Sequence, residues 1–240
     1  MGNTYDLAEK CAIVTGAAKS VGRAIAELLL ANGCEVCIWD VHQADVPGAR
    51  SAIVDITRSE DISHALAELG DERRIDILVN SAGYLGHTTE FKEHPKDDWR
   101  RIIDVNLAGT MQVTQAVLPY MLHQHSGRII NLGSLAGKEG MPGITAYSAA
   151  SAGIIAFTKA LSREVVDENV FVNCVAPGPI DTDMIRDLGQ DVVDRMIHDS
   201  PMHRLGHTDE VAHLVAWLCT EASRFNTGAV FDMSGGRARY

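Results

Sequence analysis

Cys11-Ala12-Ile13-Val14-Thr15-Gly16-Ala17-Ala18-Lys19-Ser20-Val21-Gly22 is the stretch that decides the fold. Cys11–Thr15 is an apolar, partly β-branched run of strand length. Gly16 then permits a tight turn. Ser20–Ala31 keeps Ile25, Leu28 and Leu29 on one side, as an amphipathic helix does, and Asn32-Gly33 closes it. A strand that turns through glycine straight into a helix points the helix's unpaired N–H groups at whatever lies over the turn. That end carries a partial positive charge and suits an anion such as a pyrophosphate. Gly22 lets the helix pack closely on the sheet. By itself the glycine-rich turn is equally compatible with a plain turn.

Outward from that stretch the same alternation repeats. Glu35–Trp39 reads as a second strand, Ala52–Val54 as a short third and Ile75–Asn80 as a fourth, with Glu60–Leu69 helical before it. Asp97–Val105 reads as one helix. A second carries Leu107, Met111, Thr114, Leu118 and Met121 at helical spacing, with Pro119 near its end. Arg128–Leu132, Val170–Val175 and Ala229–Asp232 complete the strands. Tyr147–Val166 reads as a long helix, and Thr208–Glu221 as another with Thr208 as its N-cap. Repeated strand–helix–strand units imply an α/β fold: a doubly wound parallel seven-stranded sheet, helices on both faces, right-handed crossovers. No linker or repeat divides the chain, so residues 1–240 read as a single domain, with 181–206 as a candidate substrate lid. Ligands of such sheets bind beyond the carboxyl ends of the strands. Asp40 stands there, at the end of the second strand. A carboxylate in that place accepts the hydroxyls of an adenosine ribose and repels a 2′-phosphate, which favours NAD over NADP; Lys19 pulls the other way.

Composition sets outer bounds. The 240 residues are 46% hydrophobic and 22% charged, which excludes global disorder. The net charge of −11 argues against a nucleic-acid surface or an anionic membrane. No apolar run reaches membrane-spanning length and Met1–Lys10 is polar, so a cytoplasmic protein is expected. Cys34-Glu35-Val36-Cys37 matches CxxC, but in a strand positions three apart face opposite sides. Buried thiols are expected rather than a redox or zinc pair. The ten histidines include His123 and His125 but no HExxH, so no metal is expected.

Taken in order, these landmarks resemble the short-chain dehydrogenase/reductase family over nearly the whole chain. Thr15–Gly22 resembles its TGxxxGxG turn, with Ser20 for the middle glycine. Asp55-Ile56 matches the adenine contact, and Asn80-Ser81-Ala82-Gly83 resembles NNAG. Asp104-Val105-Asn106-Leu107 supplies the helix asparagine, Gly133-Ser134 ends the fifth strand, and Pro177-Gly178-Pro179-Ile180-Asp181-Thr182 resembles the loop at the nicotinamide end. The resemblance implies hydride transfer between NAD and an alcohol or ketone, and a homotetramer. It implies Tyr147 as general acid/base and Ser134 as the group that holds the substrate oxygen. The Asn106 carbonyl would anchor a water relay. Gly16, Lys19, Ser20, Val21, Gly22, Asp40, Asp55, Ile56, Asn80, Ala82, Gly83, Tyr147, Pro177, Gly178, Ile180 and Thr182 would hold the cofactor. Ser134, Met141 and Tyr147 would meet the substrate.

Tyr147-Ser148-Ala149-Ala150-Ser151 departs from the family's YxxxK at its last residue. The family lysine binds the nicotinamide ribose and lowers the tyrosine pKa; Ser151 carries no charge. Poising a phenol near neutrality needs about 3 pKa units, roughly 4 kcal/mol. Lys159 lies about 18 Å further along the helix and is no substitute, while Lys138 stays open. Three readings remain: a variant made to trap a complex, an enzyme with a weakened relay, and a nucleotide-binding protein without catalysis. The expected substrate is a small polar secondary alcohol or ketone: a sugar acid, polyol or hydroxy acid. A 3-oxoacyl-carrier-protein reductase is the alternative, which the acidic charge disfavours. Arg186, Arg195, Arg204 and His87 are candidates for the pocket, or plain surface residues.

Overall fold

Cys11–Thr15 (β1), Glu35–Asp40 (β2), Arg50–Ile53 (β3), Ile77–Asn80 (β4), Gly127–Leu132 (β5), Val170–Pro177 (β6) and Val230–Met233 (β7) pair into one sheet. Its order is β3-β2-β1-β4-β5-β6-β7 and every pairing is parallel. The computed structural model describes residues 5–70 and 74–239, so Met1–Thr4 of the polar start lie outside the described residues. Among the described residues no helix is long and apolar enough to cross a membrane.

Strand parity builds two cores from one sheet. Ala12 and Val14 of β1 face one side with Ser20–Ala31 (α1) and Thr208–Leu218 (α9). Ile13 faces the other, with Ser59–Leu69 (α2), Thr110–His123 (α4) and Thr145–Val165 (α6). Cys34 belongs to the first core and Cys37 to the second, so the CxxC thiols sit on opposite sides of the sheet. All five cysteines are buried.

Three expectations need correction. Lys96–Ile103 (α3) does not end before α4: Asp104–Gly109 continues the rod as a π-helix with right-handed backbone at both junctions. The wide turn inserts a residue and rotates the helical phase by about 100°, so the apolar pattern restarts and reads as a second helix. The N-cap of α9 is His207 rather than Thr208. The Glu210 carboxylate reaches back 2.7 Å to accept from the His207 N–H. That helix also ends at Leu218, and the predicted remainder becomes a short turn at Glu221–Ser223. The 181–206 segment folds into two helices, Asp183–Arg186 (α7) and Gln190–Asp199 (α8).

Ser20 opens α1 with φ at +55°, a left-handed backbone that an L side chain adopts at a cost of about 1 kcal/mol. Ser20→Gly is expected to raise stability by up to about 1 kcal/mol, partly offset by the freer unfolded chain. Thermal unfolding should show a gain of about 2–4 °C per kcal/mol recovered. An unchanged or lower midpoint would mean that the serine side chain compensates its own strain.

Candidate functional site

The carboxyl ends of β1, β2, β4, β5 and β6 open into one cleft of about 1260 Å³, roofed by the segment after β6. Gly16, Lys19, Ser20, Val21, Gly22, Asp40, Asp55, Ile56, Ala82, Gly83, Asn106, Ser134, Tyr147, Pro177, Gly178, Ile180 and Thr182 all line it.

One end is glycine-walled. Gly16 has φ +67°, and a Cβ there would lie 2.4 Å from Ala82 Cα; one at Gly22 would lie 2.3 Å from the Gly16 carbonyl oxygen. Three backbone segments therefore meet where no side chain fits. Neither an acid nor a side-chain cap occupies the first turn of α1, so its N–H groups suit an anion. The Asp40 carboxylate accepts from the Ala18 N–H at 3.0 Å and the His42 N–H at 2.9 Å, which ties the turn to the end of β2. Burial pushes the Asp55 carboxyl up. Hydrogen bonds from the Thr57 hydroxyl and N–H, with Arg58 and Arg101 nearby, outweigh it and hold the group below its usual value. Glycine turn, helix end and strand-end carboxylate together fit the pyrophosphate and ribose of a dinucleotide.

The other end carries hydroxyls. Ser134 caps the five-residue helix Leu135–Glu139 (α5), its Oγ accepting from the Ala136 N–H at 3.1 Å. Tyr147 stands half-buried as the third residue of α6, in its first turn, above a buried Ser151. Burial raises the Tyr147 phenol above its ordinary value, and the hydroxyls of Ser134 and Ser151 offset this in part. Lys138, open in the sequence, is drawn to Asp232, Nζ to Oδ2 3.0 Å. Asn106 lies in the π-helical stretch. Its amide clamps Tyr84, donating to the carbonyl at 2.7 Å and accepting from the N–H at 3.0 Å. Its own carbonyl accepts from the Thr110 hydroxyl at 3.1 Å.

The family model described as enoyl-(acyl carrier protein) reductase matches residues 16–238. The chain belongs to the short-chain dehydrogenase/reductase family. Among its curated relatives is a 2-dehydro-3-deoxy-L-rhamnonate dehydrogenase (NAD(+)) of Sphingomonas sp. (strain SKA58), 38% identical over 97% of both chains. Another is a 3-oxoacyl-acyl-carrier-protein reductase of Chlamydia muridarum, 36% identical over 97% of this chain and 98% of that one. Among solved structures, NAD+-bound xylitol dehydrogenase superposes with a TM-score of 0.89 at 30% identity, covering 96% of this chain and 99% of that one. Ligand-free Thermoplasma acidophilum aldohexose dehydrogenase gives 0.93 at 28%, covering 99% and 97%.

Some expected residues of this short-chain dehydrogenase/reductase stand elsewhere. Asn80 points into the core, where its Nδ2 donates to Thr114 Oγ1 at 3.0 Å and Asn131 Oδ1 at 2.8 Å. Alternation along β4 turns it toward α4, away from the cleft. Met141 does not line the cleft either; its N–H donates to Ser148 Oγ. Ser151 lies beneath the wall rather than in it. Arg186 pairs with Asp181 and Arg204 with Glu210. Sequence reading passed over Tyr84, Leu85 and Gly86, and named none of Asp183, Met184 and Ile185 individually, though all of them also face the cleft. Position gives the signal for the first three: they directly follow Gly83. Among the described residues no group of three His, Cys, Asp or Glu side chains is arranged for a metal.

Proposed function

We propose that this short-chain dehydrogenase/reductase moves a hydride between NAD(H) and a small polar secondary alcohol or its ketone, such as a sugar acid, polyol or hydroxy acid. We also propose that Ser151 lowers its turnover. The observation that carries the reading is one cleft holding Asp40 at one end and Ser134 with Tyr147 at the other. Gly16 and Lys19–Gly22 would hold the pyrophosphate, Asp40 the adenosine ribose, and Asp55 with Ile56 the adenine. Pro177, Gly178, Ile180 and Thr182 would meet the nicotinamide end. When bound, the nicotinamide supplies the hydride acceptor or donor. Ser134 then holds the substrate oxygen, and Tyr147 gives or takes its proton. A phenol raised by burial is a proton donor at neutral pH, so this chain favours protonating a ketone oxygen over deprotonating an alcohol there. Residues 1–240 act as a single domain with 181–206 as lid. A homotetramer is proposed from the family resemblance, with α4 and α6 as the helices expected to pair; exposed Met111 lies on α4 and exposed Val166 directly follows α6.

The second reading, reduction of a 3-oxoacyl thioester on an acidic carrier, draws on the names of several relatives. Against it stands a net charge of −11, which repels such a partner. Following NADH absorbance with xylitol, D-glucose and D-gluconate, against NADH or NADPH consumption with an acetoacetyl thioester, separates the two. NADH formation with a sugar or sugar acid is expected; turnover with the thioester alone overturns the proposal. Tight NADH binding with no turnover of any probe would leave a nucleotide-binding protein.

A further inference from the structure

Asp98, on α3, accepts from or pairs with four groups, more than any other carboxylate among the described residues, and lies outside every motif read from the sequence. Its Oδ1 accepts from the Tyr84 hydroxyl at 2.7 Å. Its Oδ2 meets the His87 N–H at 2.9 Å, the buried His94 Nε2 at 2.8 Å and His87 Nδ1 at 3.0 Å. Gly86 lies so close that a Cβ there would stand 2.7 Å from the same Oδ2. One carboxylate thus fastens residues 84–87, whose first three line the cleft.

Tyr84 is held at both ends. Asn106 clamps its main-chain N–H and carbonyl, and Asp98 takes its hydroxyl. The ring packs on Ile102, Ala146 and Ala150, the buried cluster on which Tyr147 also packs. Arg101 stacks on its face at 4.6 Å. A tyrosine fixed in this way cannot swing, so the wall beside Tyr147 has one shape.

We propose that Asp98 is a positioning residue for the reaction: through Tyr84 and residues 84–87 it holds the cleft wall that orients the alcohol against Tyr147. The inference rests on the hydride-transfer reading above. Two electrostatic consequences agree with it. Burial pushes the Asp98 carboxyl up, but the His87 N–H, the Tyr84 hydroxyl and both imidazoles outweigh it, so the group stays ionised far below the usual carboxylate range. In turn the bond to Asp98 raises the Tyr84 phenol and keeps it a donor.

The test compares Asp98→Ala, Asp98→Asn and Tyr84→Phe with the unaltered chain, using xylitol and D-gluconate at saturating NAD+. Asp98→Ala should raise KM for the alcohol by at least about tenfold, the scale of a lost hydrogen bond to a charged acceptor, with kcat within about threefold. Asp98→Asn, which keeps an acceptor oxygen, should fall between the two. Tyr84→Phe should raise KM in the same direction and add little on top of Asp98→Ala. The NADH dissociation constant, read by fluorescence, should stay within about twofold in all of them. Ultraviolet titration should show one phenol of Asp98→Asn ionising at lower pH than in the unaltered chain, a signature independent of turnover. If Asp98→Ala does not fold, Asp98→Asn and Tyr84→Phe carry the test. An unchanged KM in both, with only a lower melting temperature, overturns the inference and leaves the function standing. If the unaltered chain oxidises neither probe, the hydride-transfer reading fails and the inference falls with it.

Discussion

Ser151→Lys is expected to raise turnover at pH 7–8 by at least about 100-fold, which corresponds to about 2.7 kcal/mol in the barrier. A phenol ordinarily ionises near 10, and burial lifts Tyr147 further, opposed only by two hydroxyls. An ammonium one helical turn on would share a face with Tyr147 and favour its phenolate by direct Coulomb attraction. The serine hydroxyl already acts on that phenol, so a longer side chain from the same backbone has the same direction to follow. The sign is specific. A raised pKa leaves the base form scarce until high pH, so alcohol oxidation by the unaltered chain should climb continuously toward pH 10. In the lysine variant the rise should be complete at lower pH. The measurement is kcat for alcohol oxidation from pH 6 to 10.5, with NADH binding as a control. No gain at any pH would reject the role assigned to this position.

Asp40→Asn carries the second large effect. Replacing the carboxylate by an amide keeps its size and removes its charge. At about 4 Å and an effective dielectric near 20, one charge pair is worth roughly 4 kcal/mol, and an open cleft screens part of it. The ratio of kcat/KM for NAD+ over NADP+ should therefore fall by at least about 100-fold, mostly through better use of NADP+. Lys19, in the turn between β1 and α1 and lining the same cleft, is the cation available to a 2′-phosphate. A ratio that moves less than about threefold would show that Asp40 serves only to bind the Ala18 and His42 N–H groups.

The frame was legible because each strand and most helices of this fold carry their own periodicity. β1, Gly16 and α1 are contiguous in sequence, so the turn could be read whole. Asn106 could be singled out, but not the π-helical turn that holds it, since a shift of phase looks like a break. Asn80 sits in the expected motif yet faces the core. Asn80 shares its parity with Leu78, which faces the α4 side of the sheet, so alternation along β4 turns it inward even though the strand ends where expected. The Asp98 cluster stayed hidden for a different reason. His94 precedes Asp98 by four residues, but Tyr84 and His87 reach it only through the packing of residues 84–87 against α3. The segment 181–206 was legible as a unit, but its individual cleft residues Asp183, Met184 and Ile185 were not, because the four-residue helix that carries them is too short for a periodic pattern.

The contact between Gly16 and Ala82 has an evolutionary side. With backbone touching backbone, the loops after β1 and β4 are one inelastic chassis, and a mutation in either disturbs both. Residues 183–206 lie beyond Thr182, the last position assigned to the dinucleotide, so this stretch can be exchanged to admit a different alcohol while the dinucleotide cradle stays intact.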